Sequence, residues 1–295
     1  MSGSPETATG TIYDIGYRGY DGARLGRRGA IGAIVGAGLR AVFGLGRSAR
    51  SKILPWGAVV LAVVPAGVAV AIRVLAGDII ELYNYENYLW EIGALLPIFV
   101  AAQAPELVVN DMRHRVLPLY FSRPISRYDY VVSKLTALTL ALLALTLLPV
   151  LILFAGRVLS AEDALGALGD EIGALPGIIG SGVLHAVVLA SIGLAICAVA
   201  GRRAYAAGAV LAVFLIGSVM SGTFEAQGGA LEGFAPFVNP LAILDGARQW
   251  LFGGTVAGSP VSGAGVALPI YGLAVAVILA VSWLVLAIRY RGVTT

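Results

Sequence analysis

Charge is scarce in this 295-residue chain. Only 13% of its residues are Asp, Glu, Lys or Arg, about half of the ~25% usual for a soluble domain. A surface so poor in charge would leave far too much apolar area against water. Lysine occurs twice, as Lys52 and Lys134, and each follows a serine. Neither completes the G-x-x-x-x-G-K-[ST] loop that cradles nucleotide phosphates, so there is no P-loop, and any ATP that drives this protein is hydrolysed on another polypeptide. Two histidines, His114 and His185, and one cysteine, Cys197, offer neither metal-ligand spacing nor an intrachain disulfide. Ser181 and His185 stand four apart on one apolar run, without the shaped pocket and oxyanion donors that a Ser–His pair needs; small polar residues there read as packing aids.

What is abundant is apolar sequence. Hydrophobic residues make up 58% of the chain and the mean hydropathy is +0.87. The 39 glycines fit membrane helices, which small side chains allow to approach closely. A helix needs roughly 20 apolar residues to cross a ~30 Å hydrocarbon core. Such runs occur at Leu54–Ala76, Leu89–Val109, Val131–Gly156, Gly177–Ala200, Ala204–Gly222 and Ala264–Ile288. The expected fold is therefore an all-α membrane protein of six transmembrane helices, with a cytoplasmic segment over 1–53, a permease-like bundle over 54–288 and a tail over 289–295. A further stretch, Phe234–Phe252, holds Asn239, Asp245 and Arg248 and is too polar for a plain lipid-facing span. No cleavable signal peptide is expected, because the first apolar run follows about fifty polar or mixed residues.

Charge orients the bundle. With the N-terminus inside, all but three of the 20 basic residues fall on cytoplasmic segments; Arg73, Arg157 and Arg248 are the exceptions. The outer loops collect acids instead: Asp78, Glu81, Glu86, Glu162, Asp163, Asp170, Glu171, Glu225 and Glu232. This is the positive-inside bias, and it places both termini in the cytoplasm of a cell-membrane protein. It also accounts for the pI near 9.1 without nucleic acid. Arg73 and Glu91, near outer helix ends, can reach the headgroups. Tyr83, Tyr85, Tyr88 and Trp90 suggest an aromatic belt at the same boundary. A relay of buried acids for proton coupling is missing; Glu106, beside the inner edge of the second span, is the one candidate.

Two cytoplasmic segments carry more pattern than a solvated loop needs. In Gly29–Arg47 the residues Ile31, Val35, Leu39 and Val42 form one stripe at helical spacing, with Arg40 and Arg47 opposite. That predicts an amphipathic helix lying on membrane lipid ahead of the first span, although its glycines weaken the helix; a basic segment that merely orients the span is the plainer alternative. In Asn110–Lys134, the apolar patch Val116, Leu117, Leu119, Tyr120 and Phe121 is bracketed by Arg113, Arg115, Arg123 and Arg127. Ser126 is placed to cap a helix whose first turn holds Asp129, favourable at the positive end of the dipole. A short helix showing Leu, Tyr and Phe inside an Arg rim suits the docking of a soluble partner, or an interfacial loop packed on its own helices.

The segment ELVVNDMRHRVLPLYFSRPISRYDYVVSKLTAL resembles the membrane subunit of ABC type-2 transporters. In that family the second span leads into a short coupling helix, followed by a pattern like L-S-R-P-[IV]-S-R-x-x-[FY]-x-x-x-K at the start of the third. Here Ser122, Arg123, Pro124, Ser126, Arg127, Tyr130 and Lys134 match it. Six spans, an N-terminal interfacial helix, and the outer segment FAPFVNPLAILDGARQWLFGG with Pro236, Asn239 and Pro240 agree with that family's topology and its short re-entrant helices. The stretch YRGYDGARLGRR looks like permeases of actinobacterial type. The resemblance implies a permease that exports its substrate, working as two permease chains with two ABC ATP-binding subunits. It implies coupling to the ATPase through Asp111, Arg113, Arg115, Leu117, Leu119 and Tyr120, with ATP and Mg on the partner and no cofactor on this chain. The competing readings are a stand-alone secondary transporter or channel, which would need its own coupling-ion site and usually an internal repeat, and a membrane anchor that recruits a soluble complex.

Overall fold

The computed structural model describes residues 26–77, 82–114, 116–122, 125–254 and 259–291. Arg115, Arg123, Pro124, the stretch YRGYDGARLGRR up to Leu25, Asp78, Glu81 and the last four residues of the predicted tail lie outside them. The described residues are helical with no strand. In chain order they form α1 (Gly26–Val42), α2 (Ala49–Ala76), α3 (Tyr88–Glu91), α4 (Leu95–Arg113), α5 (Leu117–Phe121), α6 (Arg127–Thr146) and α7 (Leu148–Leu159). There follow α8 (Ala164–Glu171), α9 (Leu175–Val199), α10 (Arg203–Gln227), α11 (Ala230–Val238), α12 (Pro240–Phe252), α13 (Pro260–Gly263) and α14 (Pro269–Arg291).

By length and composition, five helical runs among the described residues are long and apolar enough to cross a membrane: 49–76, 127–159, 164–199, 203–227 and 269–291. The expected second span is not among them. It is split, with one turn at Tyr88–Glu91 and the main helix starting only at Leu95. Its 19 residues include Gln103, Glu106, Asn110 and Asp111. These polar groups are tolerable because α4 lies inside the bundle, packed on α10, α9, α1, α2 and α6, with Leu96, Phe99, Val100 and Ala104 fully covered. The third expected span also breaks, at Leu147 between α6 and α7. Pro149 sits two residues on and has no N–H for the carbonyl a turn earlier, which disrupts a continuous ladder. The last expected span begins at Pro269 rather than Ala264.

Burial separates core helices from lipid-exposed ones. In the 164–199 run 72% of the most apolar window is buried, against 22% in α2 and in α14 and 28% in α10. Apolar residues such as Leu61, Leu215 and Leu273 are exposed on these outer helices, a surface that suits hydrocarbon and not water. Glycine makes the core contacts possible. A Cβ on Gly193 of α9 would collide with Val100 of α4, and one on Gly246 of α12 with the ring of Tyr271 on α14. Such close approach is the use that bilayer helices make of small residues.

A helix forms within the expected N-terminal segment, but it runs over Gly26–Val42 and leaves Arg47 in the turn beyond it, and its buried line is Ile34, Gly38 and Val42 rather than Ile31, Val35 and Leu39. Gly38 explains the rotation: a Cβ there would stand 2.7 Å from that of Ala137, so α1 docks backbone-close on α6. Counting apolar side chains cannot register a contact surface made by a missing one. The aromatic belt is corrected too. Tyr85 and Tyr88 are buried; the Tyr88 hydroxyl donates to the Ala62 carbonyl at 2.6 Å and that of Tyr85 to Glu171 at 2.5 Å. Buried phenols find partners of this kind; Tyr88 ties the start of α3 to the middle of α2, and Tyr85 ties the loop before α3 to the end of α8. Burial, and then the bond to Glu171, push the Tyr85 phenol well above its ordinary range. Arg157 completes the corner, 2.7 Å from Glu171 and over the Tyr85 ring.

Candidate functional site

The elbow between α4 and α6 holds most of the motif residues. Its rigidity starts locally. The Ser126 hydroxyl accepts from the Asp129 N–H at 3.2 Å and the Asp129 carboxylate accepts from the Ser126 N–H at 2.8 Å, a reciprocal capping box that starts α6 where the sequence places it. Asp129 is also gripped from α1, accepting from Arg27 Nε at 2.9 Å and from Arg27 Nη2 at 2.7 Å.

One turn deeper, Asp111 closes α4 onto α6. Its carboxylate lies 2.7 Å from Lys134 Nζ and accepts from the Tyr130 hydroxyl at 2.8 Å, while Lys134 also sits over the Tyr130 ring. The ring of Tyr130 then meets Tyr120 and Phe121 of α5 and Tyr290 of α14, with centroids 5.6, 6.4 and 5.7 Å away. Three motif residues thus brace the elbow from inside. Glu106, about one and a half turns up α4, is clamped from two further directions: it pairs with Arg47, in the turn between α1 and α2, and at 2.7 Å with Arg203 at the start of α10. The candidate for proton coupling is a structural tie between three parts of the chain.

The expected coupling residues divide by exposure. Leu117 is only 6% exposed and packs into the main core, whereas Leu119 is 70% exposed. Asp111 is engaged by Lys134 and Tyr130, and Tyr120 leans on Tyr130. Arg113, His114, Pro118, Leu119 and Ser122 are exposed. Of the described residues of α5, Pro118 and Leu119 are the exposed apolar ones, and Arg113 and His114 are exposed at the end of α4. Arg40 is exposed on α1. Arg127 donates to the carbonyl of Arg291 at 2.8 Å, tying the start of α6 to the end of α14.

The segment from α11 to Ser259 carries a second polar constellation. Asn239 and Pro240 divide α11 from α12: the Asn239 side chain accepts from the Leu241 N–H at 3.0 Å, and Pro240 takes the first helical position, where its missing N–H costs nothing. Pro236 is buried in α11. Within α12, Asp245 accepts from Arg248 Nε at 3.0 Å and Nη2 at 2.5 Å. Its other oxygen accepts from Gln249 at 2.8 Å and from the Ser259 hydroxyl at 2.7 Å, and Arg248 reaches Asn87 at 3.2 Å. Asp245 and Arg248 are 1% and 2% exposed. The D-x-x-R-Q spacing was the signal for this network, since i, i+3 and i+4 share a helix face; its partners Ser259 and Asn87 had none.

Beside α12 lies an apolar cavity of about 670 Å³ between α4 and α10, walled by Trp90, Pro97, Ile98, Leu211, Phe214 and Leu215, with Ser218, Ser221, Glu225 and Asn239 as its polar groups. No group of His, Cys, Asp and Glu suited to a metal ion occurs among the described residues. No protein-family model matches this chain, and no curated protein matches it.

Proposed function

We propose that this chain is the membrane permease subunit of an ABC type-2 exporter, a pore half whose ATPase is another polypeptide. In this reading α4 is the sixth crossing, both termini are cytoplasmic, and α11 and α12 are the re-entrant helices. The polar residues of α4 do not count against it, since a span surrounded by other spans need not be apolar all round. The bias of Arg and Lys toward one side supports the orientation.

The observation that carries the proposal is the elbow. A soluble motor can drive a bundle only by pushing on a stiff element, and α5 is stiff: Leu117 is anchored in the core, Tyr120 and Phe121 pack on Tyr130, and Asp111–Lys134 closes the ends of α4 and α6. Leu119 projects from it and Arg113 is exposed at the end of α4, suited to an apolar notch with an acidic rim on the ATPase. A second permease chain would cover part of the exposed apolar faces of α2 and α10, and the cavity beside α10 suits an apolar or amphipathic cargo.

The test is co-purification with the ATP-binding subunit encoded beside this chain, followed by ATPase measurement. Leu119→Asp should abolish co-elution and stimulated hydrolysis while leaving the permease monodisperse. Full assembly and full ATPase activity in that variant would sink the assignment of α5 as the coupling element. The alternative of an ion-coupled carrier draws on Asp245 and Arg248, because ionisable residues inside a bundle are functional-site candidates. It requires uptake or efflux that follows a pH or sodium gradient with no ATPase present.

A further inference from the structure

The start of α6 and the end of α14 are joined by the bond from Arg127 to the Arg291 carbonyl, yet leave a groove beside it. Between them runs a groove of about 210 Å³, floored by Val131, Leu286 and Ala287 and flanked by Tyr128 and Trp283, with Arg127 and Arg291 at its rim. The Arg127 guanidinium donates to the backbone carbonyl of Arg291, and both residues line the groove. The carboxylate closest in sequence, Asp129, is occupied by two hydrogen bonds from Arg27, so it does not neutralise the rim. Away from the rim the flank turns apolar: Leu284 and Ile288 are exposed and lead to Arg291 at helical spacing, and Val132 is exposed one turn beyond Tyr128.

We propose that this groove is a binding site for an anionic phospholipid of the cytoplasmic leaflet, with the phosphate on Arg127 and Arg291 and an acyl chain laid along Val132, Leu284 and Ile288. Basic pockets between membrane helices on the cytoplasmic side recognise anionic headgroups in this manner, guanidinium groups match phosphate oxygens, and Tyr and Trp sit at headgroup depth. A zwitterionic headgroup fits worse, because its ammonium would add positive charge to a groove lined, among the described residues, by two arginines and no carboxylate. The volume suits a headgroup and its first methylenes, not a whole lipid. The site rests on the membrane embedding and orientation proposed above, but not on the partner ATPase. A bound lipid would join α6 to α14 one cap away from α5, at the place where a push on the elbow enters the bundle.

The full chain, purified in mild detergent without the ATPase, is titrated with phosphatidylglycerol or with phosphatidylcholine of the same acyl chains, and bound lipid is counted by native mass spectrometry. One phosphatidylglycerol should be retained at least tenfold more tightly than phosphatidylcholine. The preference should vanish in Arg127→Gln/Arg291→Gln, survive largely in Arg127→Lys/Arg291→Lys, and persist in Arg28→Gln/Arg202→Gln, which removes two charges elsewhere on the same side. Equal retention of the two lipids overturns the site. So does equal loss in both glutamine variants, which would mean diffuse electrostatics, or displacement by inorganic phosphate, which would mean a soluble anion. Because the ATPase is absent, failure here leaves the coupling assignment standing, and intact binding does not rescue it.

Discussion

The pair Asp245–Arg248 offers the most direct test of how α12 is held. Arg248→Met strips one carboxylate oxygen of both its guanidinium donors, at 3.0 and 2.5 Å, while Gln249 and Ser259 still serve the other. Breaking a buried ion pair from one side costs on the order of 3–5 kcal/mol, and the retained donors put this variant near ~3 kcal/mol. Asp245→Leu instead strands a buried guanidinium on Asn87, its remaining hydrogen-bond acceptor among those described, at 3.2 Å, and belongs near ~5 kcal/mol. At about 2–4 °C per kcal/mol for a chain of this size, Tm should fall by roughly 6–12 °C and 10–20 °C. The double variant Asp245→Leu/Arg248→Met removes both charges and should recover most of that loss, since apolar replacement of a buried pair is often near neutral. Thermal unfolding of the four proteins in one detergent, followed by fluorescence-detected size exclusion, completes the cycle. Singles that shift Tm by less than 2 °C, or a double that falls by the sum of the singles, would refute the reasoning.

Two further outcomes follow from exposure and close packing. Cysteines at Leu165 and at Pro118, both exposed, should react oppositely with an impermeant thiol reagent in intact cells: Leu165→Cys labels and Pro118→Cys does not, and the buried Cys197 adds no background. The reverse pattern inverts the topology. Gly193→Ala, whose new methyl would collide with Val100, should cost about 1–3 kcal/mol of stability. Gly208→Ala, with nothing within 4 Å, should leave Tm unchanged or slightly raised; equal effects of the two would show that the α4–α9 contact is not at van der Waals limit.

Much of this could be read from the residues. Ser126 and Asp129 announced the start of α6, because a capping box lies within four residues and depends on nothing else. The division of the next segment at Asn239-Pro240 rests on a cap just as local, but its residues were noted only for their resemblance to re-entrant helices. The break at Leu147 was legible only in retrospect, from Pro149 inside a run that hydropathy treats as continuous. The elbow was found as a segment but its faces were not: Leu117 and Leu119 look alike in sequence, and only their packing turns one inward. Asp111 was grouped with surface residues, yet it binds Lys134 and Tyr130.

By itself the sequence determined the class of solvent and the rhythm of the chain. Runs of apolar residues dictate helices that must lie in a bilayer, since the backbone satisfies itself there and water would not tolerate the surface. What only the tertiary structure decided is which polar groups meet. Hydropathy requires that Glu106, Asp111, Asp245 and Arg248 have partners, because an unpaired charge in an apolar interior is too costly. It says nothing of who those partners are. Arg47 and Arg203 reach Glu106 from distant parts of the chain, and Ser259 reaches Asp245 across a loop, because the packing of the helices, and not their order in sequence, sets which side chains touch.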